Sequence, residues 1–467
     1  MLFHTGTFFV FFALVYAAYI FLNHRRQNQL LLAASFIFYG WWDWRFLGLL
    51  MISIAVDYTF ARKIEISEDG PSRKMYLVFS LVINLGILGV FKYLNFFLDS
   101  FTHLAASFGF TASVPVLNIL LPVGISFYTF QSLSYVVDVY RRQMPACRNL
   151  RDYALFVSFF PQLVAGPIER ARHLLGQIQQ PRDLSVEAFK SGCFLFFWGV
   201  FQKIYVGDGL SRQAGWAFEH SGTYTAAQVV IGTLAFTWQI YGDFAGYSNM
   251  ARGLARMLGF ELMVNFDHPY FSASMREFWR RWHISLSLWI RDYLYVPLGG
   301  RSGGLLRQCL VLIATMAIAG LWHGAAWTFV AWGTYHGILL AGERLCAQSG
   351  KPRSGAFTGV KTFLVFILVA YGLLIFRAHS LAQAGEMTRS LVLDPFSGWM
   401  ESQAHLRAVL CLILPLWFVE FFEIQTGKQD LISRCSPVIR WLLYLCFFHM
   451  IIYSGVPSAQ QFIYFQF

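Results

Sequence analysis

Charge is what this 467-residue chain has least of: Asp, Glu, Lys and Arg together make up 13% of it, about half the roughly 25% of an ordinary soluble protein. A chain with so little charge and 57% hydrophobic residues cannot cover itself in water. Lipid is the solvent that suits it, because helices satisfy their own backbone there while apolar side chains meet the tails. Recognisable catalytic signatures are missing as well. No HExxH, Walker or Rossmann glycine pattern occurs, which removes the chemistries those motifs serve. The seven cysteines, Cys147, Cys193, Cys309, Cys346, Cys411, Cys435 and Cys446, include no CxxC pair. They read as free thiols filling apolar segments rather than a disulfide framework or zinc site.

What is abundant fits the same solvent. Aromatic residues reach 18%, with 48 Phe and 15 Trp, as lipid contact and interfacial belts require. Apolar runs lie near 7–22, 30–60, 76–98, 114–137, 153–168, 190–206, 226–248, 308–341, 359–377, 407–423 and 438–455. A span takes about 20 residues, so 30–60 and 308–341 are each long enough for a helical hairpin. The expected total is about 11–13 membrane segments in one membrane domain over 1–467, with no room for a soluble domain between them.

The net charge of +11 does not argue for nucleic acid, because no basic stripe with interleaved aromatics lies outside the apolar runs. The loops Arg62 to Lys74, Arg141 to Arg151 and Arg344 to Lys361 carry Lys and Arg, as cytoplasmic loops do. The pair Arg25-Arg26 follows the run Phe8–Leu22, so that run reads as a retained first span with its N-terminus outside. Pro and Gly interrupt several runs, at Phe160-Pro161, Gly166-Pro167, Leu121 to Gly124 and Val296 to Gly300. Broken helices are tolerated at membrane depth where they line a cavity, which favours an internal tunnel.

Three places carry candidate chemistry. Arg276–Tyr293 reads REFWRRWHISLSLWIRDY. Wound as one helix, it puts Arg276, Arg280, His283, Ser287 and Arg291 in one stripe, beside an apolar stripe of Trp279, Trp282, Leu286, Trp289 and Tyr293. Such a helix either lies in the interface with its arginines snorkelling or walls a site for an anionic, phosphate-bearing group. Leu321-Trp322-His323-Gly324 lies deep in the run 308–341, with no charge back to Arg307. An ionisable residue there is costly and functional or paired, and histidine suits general-base work near neutrality. On a continuous helix, His336 would sit roughly 20 Å further along and on another face, a structural position. Asp243 lies between the glycines of a GxxxG spacing. The glycines suit close packing, and Asp243 is placed to pair with an arginine or polarise a base. Neither His283 nor His323 has a second ligand at i+3 or i+4, so no metal is expected.

At these residues the chain resembles the membrane-bound O-acyltransferase (MBOAT) family, in the bacterial branch that acetylates alginate. The stretches that carry the resemblance are FKYLNFF (91–97), LPVGISFYTFQSLSYVVDVYR (121–141), FFPQLVAGPIER (159–170), YGDFAGYSNMARGLARMLGF (241–260), NFDHPYFSASMREFWRRWHISLSLWIRDYLYVPLGG (265–300) and GLWHGAAWTFVAWGTYHG (320–337). The motif-bearing core covers about 75–345, and the terminal IYFQF (463–467) also resembles this branch.

The resemblance implies an all-α polytopic fold, a ring of transmembrane and re-entrant helices around a central tunnel. It implies that His323 is the catalytic histidine and that His283 holds the second polar position. Arg276, Arg280, Trp282, Ser287, Arg291, Asp243 and Trp322 are the accompanying candidates for binding donor or substrate. No cofactor is bound; acetyl-CoA enters as the acyl donor. The expected partners are membrane lipid, the acyl donor and a periplasmic SGNH-type acetyltransferase, in the bacterial inner membrane. The acceptor expected is an alginate-like polysaccharide or peptidoglycan. D-alanyl transfer to teichoic acid, a secondary transporter and a scaffold for an export complex are the competing readings.

Overall fold

The computed structural model describes residues 1–110, 120–164, 166–220, 222–347, 358–427 and 431–453; the terminal IYFQF (463–467) lies outside them. Every regular element among these residues is helical. Four helices are long and apolar enough to cross a membrane: Gly70–Ser107, Leu305–His323, Gly359–Arg377 and Gln403–Thr426. Shorter apolar helices include Gly6–Tyr19 and Pro437–Tyr453. The class expected from the sequence is therefore the one observed, all-α and polytopic.

The long runs fold as pairs. The 30–60 run becomes His24–Gly40 and Arg45–Ile66, and 308–341 becomes Leu305–His323 and Trp327–Ala347. Caps set several starts: the Asn23 side chain accepts from Arg26 N, and Asp69 accepts from Ser72 N, each satisfying a donor the first turn leaves open. The Pro and Gly breaks are real breaks. Leu150–Ser158 stops before the four-residue turn Phe160–Leu163, and Gly124 starts Ile125–Tyr140 from a positive φ of 73°.

The chain forms two compact units, 1–193 with 251–263, and 194–250 with 264–467. The first holds the pairings of Arg45–Ile66 with Gly70–Leu88 and with Ile125–Tyr140. Its extended stretch near 261–263 is pinned by Glu169, which accepts from Met263 N at 2.6 Å.

The second unit contains all the candidate chemistry. Its tightest feature is the hairpin of Leu305–His323 and Trp327–Ala347. A Cβ on Gly320 would stand 2.1 Å from Phe329 O, and one on Gly333 would stand 2.1 Å from Met316 O. Only glycine permits that approach, so backbones meet where larger side chains would hold them apart. Tight packing also accounts for Gly242 and Gly246, which press on the backbone of the π-helical turn Gln202–Asp208 and of Gly199.

Candidate active site

The stretch 275–295 is a re-entrant turn rather than the single amphipathic helix expected from its period. Met275–Arg281 begins at Ser274, whose Oγ accepts from Glu277 N at 3.1 Å, while Glu277 reaches back to Ala273 N, a reciprocal cap. The helix ends at Trp282, which is extended, and His283 takes φ 42°, ψ 56° before Ile284–Ile290 starts. A left-handed backbone at a non-glycine residue is uncommon and persists where surroundings impose it.

Here the imposing residue is Asn265. Its carbonyl oxygen Oδ1 accepts from Ser285 N at 3.3 Å and from Ser285 Oγ at 2.9 Å, and meets His283 Nδ1 at 3.1 Å. Its backbone oxygen accepts from Ile284 N at 2.9 Å, and Asp267 N donates to Arg281 O at 2.9 Å. The extended stretch 265–267 thus zips along the break and overrides helical continuity.

The break separates the expected stripe. His283 is 0% exposed, whereas Arg276, Arg280 and Arg291 are exposed. Arg276 contacts Glu343 through its side chain at 3.9 Å and its amide at 3.1 Å. Arg291 pairs with Asp292 at 2.7 Å. Ser287 Oγ donates to Trp282 O at 3.2 Å and so braces the break. The arginines do not wall a pocket around His283; they form an exposed rim on the turn that carries it.

Both limbs of the turn are tied to one place. Glu343 holds Arg276, and the next residue, Arg344, donates to Tyr295 OH at 2.6 Å. Trp332 lies eleven residues before Glu343, roughly 16 Å along the helix, and it packs on Trp279 at 5.8 Å. His283 is the apex of the re-entrant turn, and the two limbs return to the arginine rim.

His323 meets this apex from the other direction. It is the last residue of Leu305–His323, and Gly324 turns extended at φ −161°. The imidazole is 3% exposed. Ring centroids of Trp322, Trp332 and Phe376 lie 5.0, 5.1 and 5.7 Å away, and that of His283 at 6.4 Å. Trp322 also reaches His283 at 6.2 Å, and Phe244 stands edge-on to His283 at 4.6 Å. Trp282 builds the next layer, against Phe266 at 5.0 Å and Phe278 at 5.6 Å. The two histidines are therefore buried together among aromatic rings, an aromatic chamber in which a proton acceptor competes with little water.

His336 is closer than a continuous helix would put it. The chain reverses after His323, and Trp332 contacts both His323 and His336 at 5.1 Å. His336 is 1% exposed and lies beside Phe278 and Trp279, on the flank of the same chamber.

Asp243 pairs with a lysine. Lys203 Nζ lies 2.8 Å from Asp243 and 2.5 Å from Asp208, and all three side chains are buried. On the helix Ala226–Met257 that carries Asp243, the neighbouring Phe244 stands edge-on to His283. Lys203 is the only charged residue between Lys190 and Asp208, so its cost in lipid was a readable signal. Asn265 and Phe376 left no such mark.

Because Ser285 N can only donate, the Asn265 atom it meets is an oxygen, and His283 Nδ1 must donate to that same atom. A neutral His283 then has Nε2 as an acceptor. Beside His323, the Trp332 ring is 3% exposed and its indole N–H has no hydrogen-bond acceptor among the described residues. Two buried imidazoles and a buried indole N–H thus lie close together.

A family model described as membrane-bound O-acyltransferase matches residues 142–381, which include the re-entrant turn and both histidines. The probable alginate O-acetylase of Pseudomonas aeruginosa is 42% identical over 447 residues, 94% of this chain and 84% of that protein. The peptidoglycan O-acetyltransferase of Helicobacter pylori is 33% identical over 84% of this chain and 80% of its own length. The teichoic acid D-alanyltransferase of Bacillus subtilis is 25% identical over 56% of this chain and 70% of its own length.

Proposed function

The chain belongs to the membrane-bound O-acyltransferase family, and on that premise we propose that it passes acetyl groups from cytoplasmic acetyl-CoA to an alginate-like exported polysaccharide, with His323 as the general base. That it is an O-acyltransferase and a multi-pass membrane protein follows from the family. The donor, the acceptor and the residue roles are the proposal. So are the inner-membrane location and the periplasmic SGNH-type acetyltransferase that would receive the group.

The observation that carries this reading is the meeting of His283 and His323 at 6.4 Å inside the aromatic chamber. One arrives on a turn rimmed with arginines, the other at the end of a spanning helix. The rim at Arg276, Arg280 and Arg291 suits the phosphates of coenzyme A as charge-assisted partners. Its anchor at Glu343-Arg344 adjoins the basic loop up to Lys361, which the positive-inside rule assigns to the cytoplasm.

The chemistry is a single displacement. His323 takes the proton of the acceptor hydroxyl as its oxygen attacks the thioester carbonyl. The new C–O bond forms, the C–S bond breaks, and the departing thiolate recovers the proton from the imidazolium. General-base help of this kind is worth about 10²- to 10⁴-fold, and alignment in the chamber adds to it. With Nδ1–H committed to Asn265, His283 Nε2 acts as an acceptor that orients the hydroxyl. The Trp332 indole N–H is then the donor available to the oxyanion. Trp282 and Trp322 shape the walls, and Asp243 acts at a distance by anchoring Lys203.

Polysaccharide acetylation is favoured over D-alanylation because the O-acetylase relative matches at 42% over 94% of the chain, against 25% over 56%. Membrane vesicles given labelled acetyl-CoA should transfer label to polymer or to a co-expressed SGNH-type protein. Label passed only from a D-alanyl carrier protein would overturn the donor assignment. Neighbouring polymer-synthase genes would support the acceptor, and a carrier protein with its ligase would count against it.

A further inference from the structure

A carboxylate is enclosed where the helices Arg45–Ile66, Gly70–Leu88 and Ile125–Tyr140 meet in the first unit. Asp57 is 0% exposed. Its Oδ1 accepts from Ser80 Oγ at 2.6 Å and from Asn84 Nδ2 at 2.7 Å. Ser132, whose Oγ donates to Thr129 O at 3.3 Å, lies near the same carboxylate. Ser53 Oγ donates to Asn84 Oδ1 at 2.6 Å, extending the network by one more oxygen. Ser53, Ser80, Asn84 and Ser132 are all buried.

Two buried oxygens lack a hydrogen-bond partner among the described residues: Asp57 Oδ2 and the Tyr153 hydroxyl. Tyr153 is 0% exposed and close enough to Asp57 to feel its charge. No basic side chain pairs with Asp57 among the described residues. Neutral hydroxyl and amide donors soften the desolvation of one oxygen, but they do not supply the missing positive charge. In a helix junction within lipid that charge is costly unless something compensates it.

The surroundings specify what could. Every remaining ligand atom is an oxygen: Asp57 Oδ2, the Tyr153 hydroxyl, the free lone pairs of the serines and Asn84 Oδ1. Oxygen ligands suit hard cations. A single carboxylate matches a single positive charge, and no cluster of three His, Cys, Asp or Glu occurs among the described residues to hold a transition metal. We propose that this junction binds a sodium ion, with Asp57 Oδ2 as its charged ligand and the oxygens of Tyr153, Ser53, Ser80 and Asn84 around it. The ion would clasp the helices Arg45–Ile66, Gly70–Leu88 and Leu150–Ser158. It is independent of the acyl-transfer reading.

The test is the thermal midpoint of the purified full-length chain in detergent at fixed ionic strength, with choline chloride replaced stepwise by NaCl. A ligand that binds only the folded state raises the midpoint with its concentration, and a saturable rise of about 2 °C is expected. Asp57→Asn should abolish the dependence. Should that variant fail to fold, Ser53→Ala and Ser80→Ala keep the carboxylate and should raise the half-saturating sodium concentration about tenfold. A wild-type midpoint indifferent to sodium, or an undiminished response in Asp57→Asn, overturns the proposal. So does a midpoint that responds to acid through Asp57 without responding to sodium, which would make a proton the neutralising species.

Discussion

His283 and His323 stand with ring centroids 6.4 Å apart, and each is placed by the end of a helix rather than by its middle. His323 closes Leu305–His323, and His283 opens Ile284–Ile290 from a left-handed backbone. Helix ends leave backbone groups without intrahelical partners, so both imidazoles can face the chamber without distorting a helical ladder. That placement yields separable tests.

The ring and the backbone of His283 can be tested separately. Asparagine tolerates positive φ, whereas a β-branched residue does not. His283→Asn should keep the wild-type melting midpoint and lose activity about 100-fold. His283→Val should lose both. Melting curves and acetyl-transfer rates on the same preparations check this.

Asn265 is a positioning residue. Asn265→Ala strips acceptors from His283 Nδ1 and Ser285, and should lower kcat about 10- to 100-fold with KM nearly unchanged. Asn265→Asp keeps an acceptor oxygen and should restore most of the rate. A KM effect as large as the kcat effect would place Asn265 in binding instead.

Trp332→Phe keeps the aromatic wall and removes one buried N–H donor. If that donor faces the oxyanion, kcat should fall about 10²-fold or more while the midpoint holds. An unchanged kcat would assign the tryptophan to packing alone.

Lys203 carries a stability prediction. Lys203→Met leaves Asp208 and Asp243 buried without their cation, and should cost about 3–5 kcal/mol. Adding Asp208→Asn and Asp243→Asn should recover much of that loss, measured by thermal unfolding in detergent.

His268 supplies a pH signature. Burial opposes its protonation, but the carboxylates of Asp267 at 2.9 Å and Glu423 at 2.8 Å outweigh it and hold the imidazole up to about 10. A raised folded value contributes stability that is full below about 6.5, the unfolded value, and is lost as pH rises towards 10. The wild-type midpoint should fall across that window, and His268→Gln should fall less.

Much of this was legible in the residues. Long apolar runs announced the spanning helices, and two runs of double length announced the hairpins. His323 stood out because an ionisable group in an oily segment must be explained. The break at His283 was hidden, because Arg276–Tyr293 keeps a faultless helical period and the break is imposed from outside the segment by Asn265. The nearness of His336 to the chamber was hidden too, since it depends on the chain reversing at Gly324. Phe376 lies beyond the motif-bearing core, where only hydropathy spoke.

Transfer from labelled acetyl-CoA by purified wild-type and His323→Ala protein, both reconstituted with acceptor, tests the central claim most directly. The expected result is a loss of at least about 10²-fold on a protein that melts like wild type. Undiminished transfer by His323→Ala would contradict the assignment of His323 as the base.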